Sequence, residues 1–238
     1  MSAPDLEHPS PDYCGLAWER TASLQRAICE HPFNRALADA TLDRERFAFY
    51  LAQDARYLIG FSRTLAAAST RAPDIEAAAF FAGSAREALV VERSLHEGEL
   101  QRLGWSDEEL ASVDVSPTCL AYTSFLASIA LSEPWPVLVG AVLPCFWVYQ
   151  HVGETISEQT TDVTDHPYRA WIDTYADESF AASVGKARHI ADVAAASTTP
   201  AVVDRMLEAF TRATEYEWLF WDSAWHLEQW PTAEWLPR

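Results

Sequence analysis

The sequence predicts an all-α protein built as one helical bundle, with all 238 residues in a single domain. Three observations lead there. Apolar residues recur at three- and four-residue spacing over long stretches, the period of a helix buried along one face. No stretch alternates convincingly as a strand would, and no Asn-Gly or Asp-Gly hairpin turn is present. No Pro/Gly/Ser linker and no 20–50-residue repeat divides the chain, whose length suffices for one large core.

Met1 to Asp12 is polar, acidic and Pro-containing, and is expected to be a flexible tail. Tyr13–Cys29 follows as an amphipathic helix, with Leu16, Ala17, Leu24, Ala27 and Ile28 as its expected inner side. His31-Pro32-Phe33 breaks it, and a short helical segment runs to Ala40. Thr41-Leu42-Asp43 caps a long helix from Arg44 to about Ser69, because a short polar side chain can accept from the free N–H groups of a first turn. Asp74 opens another long helix through Leu103, stopped by Gly104, and Ser106 to Glu109 has the form of a short capped helix. Ser116-Pro117-Thr118 starts a helix through Leu131. Trp135 to Glu158 is the most apolar helix, and a polar loop from Gln159 to Asp165 ends it. His166–Tyr175, Asp177–Ala196 and Pro200 to about Glu228 complete the series.

Composition narrows the function. A formal charge of −18 and a single lysine, Lys186, argue against phosphate-backbone binding, so no nucleic-acid partner is expected. An acidic, lysine-poor surface also matches a protein working in high salt, and its field favours neutral or cationic ligands. No apolar run reaches 18 residues without polar interruption, so neither a signal peptide nor a membrane span is expected. Cysteines at 14, 29, 119 and 145 match neither a zinc pattern nor a disulfide framework, which suits a reducing cytoplasm. No GxGxxG, P-loop or GxSxG motif occurs.

Polar groups on apolar faces are the chemical clues. On the helix from Arg44, the stripe Phe47, Tyr50, Leu51, Tyr57, Leu58, Phe61 contains Asp54 in its gap. A carboxylate there is costly unless paired or partly wet, and a salt bridge to Arg56 or Arg63 is the structural alternative. On the last long helix, Glu217 sits within Met206, Phe210, Ala213, Phe220 and Ala224, with Arg212 as a possible ion-pair partner. In Leu143-Pro144-Cys145-Phe146-Trp147-Val148-Tyr149, Cys145 and Tyr149 share a face, and Pro144 should kink or loosen the helix and aim the thiol at an opening. On its own Cys145 reads as a small buried hydrophobe. Two carboxylates and a thiol among aromatics nevertheless suit nucleophilic attack with general-acid help on a flat polar ring. Glu92 with His96, and Asp222 with His226, are i,i+4 pairs read as local surface pairs. Glu154, His166 and His189 lack metal-ligand spacing.

These segments resemble the TenA family, also called thiaminase II, of the haem-oxygenase-like fold. The resemblance runs along almost the whole chain: His31-Pro32-Phe33; Tyr50-Leu51-Ala52-Gln53-Asp54 with Tyr57-Leu58 and Phe61; Pro117-Thr118 with Tyr122-Thr123-Ser124; Leu143-Pro144-Cys145 with Trp147, Tyr149 and Gly153; Trp171-Ile172 with Tyr175 and Phe180; and Tyr216-Glu217 with Phe220-Trp221. It implies hydrolysis of 4-amino-5-aminomethyl-2-methylpyrimidine to the hydroxymethyl pyrimidine and ammonia in thiamin salvage, with slower cleavage of thiamin. It implies Cys145 as nucleophile, Asp54 as the ring-binding carboxylate and Glu217 as acid/base. Tyr57, Tyr122, Tyr149 and Tyr175 would line the pocket, and Phe220 would stack on the ring. It further implies a homotetramer and no metal or organic cofactor. Cys119-Leu120-Ala121 and Trp218 depart from the family pattern. A non-catalytic pyrimidine-binding or regulatory protein, and a metal-dependent oxidase on the same fold, are the rival expectations.

Overall fold

The computed structural model describes residues 12–102, 104, 106, 108, 113–160 and 165–235. Among these residues the elements are α1 (Tyr13–Cys29), α2 (Pro32–Ala38), α3 (Arg44–Thr70), α4 (Ile75–Arg102), α5 (Pro117–Ser132), α6 (Trp135–Gln159), α7 (Arg169–Tyr175), α8 (Glu178–Ala196), α9 (Pro200–Trp225) and a 3₁₀ turn (Ala233–Trp235). No strand occurs among them. The all-α bundle is as expected. The short helix expected at Ser106–Glu109, the tail before Asp12 and the side chains of Glu92 and His96 fall wholly or largely outside the described residues.

The caps explain most boundaries. Asp43 Oδ1 accepts from Arg46 N at 2.9 Å, Asp74 Oδ1 from Ala77 N at 2.8 Å and Ser116 Oγ from Cys119 N at 3.1 Å, starting α3, α4 and α5. Two ends differ from expectation. At His166 the chain makes a turn in which the ring Nδ1 accepts from Tyr168 N, so α7 begins only at Arg169. At its C-terminus α9 stops at Trp225, because Leu227 enters the left-handed region at φ 51° and turns the chain away.

α6 is the axis of the bundle, touching α1, α2, α3, α5, α7, α8 and α9. It is long and apolar enough to cross a membrane, but 78% of its most apolar window is buried inside this fold. The core around it holds most of the aromatic residues, including Phe47, Tyr50, Trp171, Phe210 and Trp221. The helix continues through Pro144, which cannot donate to the Gly140 carbonyl. Gly140 also permits a three-helix junction: a Cβ there would lie 2.8 Å from the Met206 carbonyl oxygen and 2.9 Å from the Tyr13 hydroxyl. Those two groups are hydrogen-bonded to each other at 3.1 Å.

The expected inner side of α1 is corrected. Leu16 and Ala27 are exposed, and the buried face instead runs through Tyr13, Cys14, Ala17, Thr21, Gln25 and Ile28. Local bonds make the two polar residues tolerable there: Thr21 Oγ1 donates to Ala17 O at 2.9 Å, and Gln25 Nε2 donates to Thr21 Oγ1 at 2.7 Å. The stripes expected on α3 and α9 are buried in full.

Candidate active site

Asp54 on α3 and Glu217 on α9 are 2% and 1% exposed, and α6 brings Cys145 between the helices that carry them. A cavity of about 670 Å³ opens here. Its wall includes Asp54, Cys145, Tyr149 and Tyr175 together with apolar Leu58, Phe61 and Phe146. Its rim carries Arg86, Glu87, Asp173 and Asp177. The thiol therefore faces an opening, as expected, while Cys14 and Cys119 are buried. Burial, with Asp54 nearby, pushes the Cys119 thiol up to about 12, so at neutral pH it stays an un-ionised core residue.

Tyr175 reaches the wall because α7 lies against α6 at Gly153. A Cβ at 153 would lie 2.6 Å from Tyr175 Cβ and 2.8 Å from its carbonyl carbon, so glycine is what allows the approach. Trp171, one turn earlier, packs its ring 4.7 Å from that of Tyr175.

Behind this wall lies a buried layer of Glu217, Tyr57, Tyr122 and Phe220, none of them part of the cavity lining. The Tyr122 hydroxyl donates to Glu217 Oε1 at 2.6 Å. Tyr57 packs its ring 4.9 Å from Tyr122 and 5.7 Å from Phe220. Burial pushes the Glu217 carboxyl up to about 8, with the charge of Asp54 adding to the rise and the Tyr122 bond opposing it. At neutral pH Glu217 is thus mostly protonated, a buried acid with a proton to give. Burial also raises the hydroxyls of Tyr57, Tyr122 and Tyr149, with charge at Cys145, Tyr50, Asp54 or Glu217 adding to it. All three keep their protons at neutral pH.

The structural alternatives for the carboxylates fare differently. Arg212 pairs with Glu215, not with Glu217. The Arg56 guanidinium is held by the carbonyls of Ala52, at 2.7 Å, and Val113. The Asp222–His226 pair is present at 3.5 Å, and a third partner was missed: His31 Nε2 approaches the same Asp222 oxygen at 3.4 Å. Glu154 hydrogen-bonds Gln150 and His166 lies 3.4 Å from the Ala38 carbonyl. Among the described residues no three His, Cys, Asp or Glu side chains converge as a metal site. Of the unusual residues, Cys119 sits under Asp54, its thiol donating to the Gln53 carbonyl at 3.5 Å. Trp218 turns its ring toward the edge of His31.

Residues 18–227 match the TENA/THI-4/PQQC family model. The chain belongs to this family. It is 30% identical over 219 residues to the aminopyrimidine aminohydrolase of Halalkalibacterium halodurans, covering 92% of this chain and 97% of that protein. It is 37% identical over 216 residues to the thiamine biosynthesis multifunctional protein ThiED of Corynebacterium efficiens; this covers 91% of the chain but only 29% of that longer protein. The TenA homologue of P. horikoshii OT3 is similar in structure at a TM-score of 0.82 and 28% identity, over 90% of this chain and 98% of that one. A Shewanella denitrificans domain with a haem oxygenase-like fold, 16% identical, superposes at a TM-score of 0.71 over 90% and 92% of the two chains, which supports the expected fold alone.

Sequence reasoning missed part of the wall. The rim residues Arg86, Glu87, Asp173 and Asp177 come from three different helices and helix ends, and no local spacing links them; Phe146 and Phe180 stand in stretches that the sequence displays but were not assigned to the wall. Tyr50 and Trp171 stood in motifs that the sequence displays, but nothing in their spacing tied them to Tyr149.

Proposed function

We propose that the chain is an aminopyrimidine aminohydrolase that converts 4-amino-5-aminomethyl-2-methylpyrimidine and water to the 5-hydroxymethyl pyrimidine and ammonia. One observation carries the proposal: a thiol and a carboxylate share the wall of an aromatic cavity, and a second carboxylate, kept protonated by burial, lies in the layer behind it. The names of the relatives point the same way.

The chemistry follows from these groups. Asp54 accepts from the amidine edge of the ring, a planar array of donors that suits a carboxylate. The Cys145 thiolate adds to the electron-poor ring carbon beside a ring nitrogen, and the ring loses its aromaticity. The C–N bond to the side-chain amine then breaks with its electron pair leaving on nitrogen, which takes the Glu217 proton and departs as ammonia. Water adds to the exposed methylene and returns a proton to Glu217, and the C–S bond breaks to restore the ring and the thiolate. Tyr57 and Tyr122 hold Glu217 and the thiol in place and keep water out, and Phe220 backs the ring. Thiamin, which carries a thiazolium on the same methylene, is a slower alternative substrate. The enzyme works as a homotetramer in the cytoplasm, where the thiol stays reduced.

The test is ammonia release from the aminomethyl pyrimidine beside thiamin cleavage, at low and high salt. Release much faster than thiamin cleavage is expected. Tight pyrimidine binding with neither reaction would favour a binding or regulatory protein. Light scattering checks assembly: a monomer would refute the tetramer.

A further inference from the structure

The helix that carries Tyr122 is pinned at its first turn by two polar side chains that the chemistry above does not use. Gln53, 1% exposed on α3, clamps the chain entering α5: its Nε2 donates to the Asp114 carbonyl at 2.8 Å, and its Oε1 accepts from Ser116 N at 2.9 Å. The Cys119 thiol adds a third tie, to the backbone carbonyl of the same Gln53. From the other side, Glu228 accepts from Thr118 N at 2.9 Å and from Thr118 Oγ1 at 3.1 Å. Thr118 N is one of the free donors of a helix first turn, where a carboxylate also gains from the helix dipole. Glu228 follows the left-handed turn at Leu227, so the chain leaving α9 grips the start of α5.

These ties set where α5 lies along its neighbours. Beyond the clamp, Tyr122 packs beside Tyr57 and Thr123 lies over Gly60, where a Cβ would come 2.8 Å from Thr123 Cγ2. The Tyr122 hydroxyl then meets Glu217 Oε1 at 2.6 Å. A slide of α5 by about 1 Å, less than the rise of one residue, takes such a bond beyond useful length.

We propose that Gln53 and Glu228 are positioning residues that fix the register of α5 against α3 and α9 and so hold the Tyr122 hydroxyl on Glu217. This rests on the proton-delivering role given to Glu217 and deepens it, since the acid is then tuned from a junction outside the cavity wall. The ionisable groups around Glu217 are Asp54 and Tyr57 on α3, Tyr122 on α5 and Tyr149 on α6, with the Cys145 thiol facing Tyr57 and Tyr122. Of these, Tyr122 alone stands on the helix that the two ties fix. Its bond opposes the burial that raises the Glu217 carboxyl, so loosening it makes the acid hold its proton more tightly.

The experiment titrates Glu217 by the infrared band of its protonated carboxyl, identified by its loss in Glu217→Gln, and in parallel by kcat for ammonia release against pH. Wild type is compared with Gln53→Met, which keeps the side chain's length without its amide, with Glu228→Ala, and with Glu228→Gln, whose amide can accept from Thr118 N and donate to the Thr118 hydroxyl. Gln53→Met and Glu228→Ala should each move the midpoint upward by roughly half a pH unit or more and lower kcat about three- to tenfold, whereas Glu228→Gln should keep the wild-type midpoint. Repeated in a Tyr122→Phe background, neither substitution should move the midpoint further, because the bond through which it acts is gone. A purely structural role would lower Tm and leave the midpoint in place, which overturns the proposal. An equal shift with and without the Tyr122 hydroxyl overturns it as well. Should Gln53→Met fail to fold, Glu228→Ala still decides, since that side chain is only half-buried. A wild type that releases no ammonia would overturn the aminohydrolase reading, while the infrared titration still tests the clamp.

Discussion

Asp54 and Glu217 are equally buried carboxyl groups on facing helices, yet their surroundings differ in kind. Asp54 stands on the wall of the cavity, within reach of whatever enters. Glu217 stands behind it, bonded to Tyr122 and walled by Tyr57 and Phe220, where burial holds its proton up to about pH 8. The difference sets a carboxyl group that meets the cavity apart from one whose proton is retained by burial. The layer of packing between a group and the cavity decides which of these two surroundings it has.

The comparison breaks most visibly at the thiol, which shares the cavity wall with Asp54. Cys145→Ala should lower ammonia release by on the order of 10³-fold or more while leaving pyrimidine affinity within a few-fold, because binding is assigned to the Asp54 wall and bond-making to the sulfur. Retained turnover, measured by an ammonia assay, would remove Cys145 from the mechanism. Next in size, Glu217→Gln should cost about 10²-fold in kcat with little change in KM, the signature of a lost proton donor.

Smaller effects sharpen the contrast. Tyr122→Phe removes the bond that lowers the acidity constant of Glu217, so the basic limb of kcat against pH should move upward, with kcat reduced about tenfold. Gly153→Ala would force a methyl against Tyr175, costing about 1–3 kcal/mol of stability and raising KM, which chemical denaturation and steady-state kinetics would register together.

Stability should respond to pH at the buried layer that holds Glu217. The native acidity constant of Glu217 lies above its unfolded value of 4.5, so between those limits the folded state holds the extra proton. The stability this group allows is complete below about pH 4.5 and is lost as pH rises toward 8. The Tm of wild type should therefore fall relative to Glu217→Gln over that interval.

The sequence made the helices legible because their periodicity and caps are local. It drew attention to both carboxylates for the same reason, since each is a polar residue set in its own apolar stripe, whereas Cys145 alone reads as a small buried hydrophobe and its role came from the family resemblance. The long-range arrangement was out of reach. Nothing in the α9 stripe shows that Glu217 turns to Tyr122 and not to Arg212, since that choice depends on how α5 packs. The face of α1 was misjudged because Thr21 and Gln25, polar by composition, are buried once their side chains bond within their own helix. The rim residues Arg86, Asp173 and Asp177 carry no signature at all, as each is an ordinary surface charge until α4, α7 and α8 meet.

The most direct measurement is the pH dependence of kcat for ammonia release in wild type and Glu217→Gln. The wild type should lose activity above about pH 8 as Glu217 gives up its proton, and the variant, slow throughout, should lack that limb. The same limb persisting in Glu217→Gln would mean that another group delivers the proton, and would contradict the division of labour between the two walls.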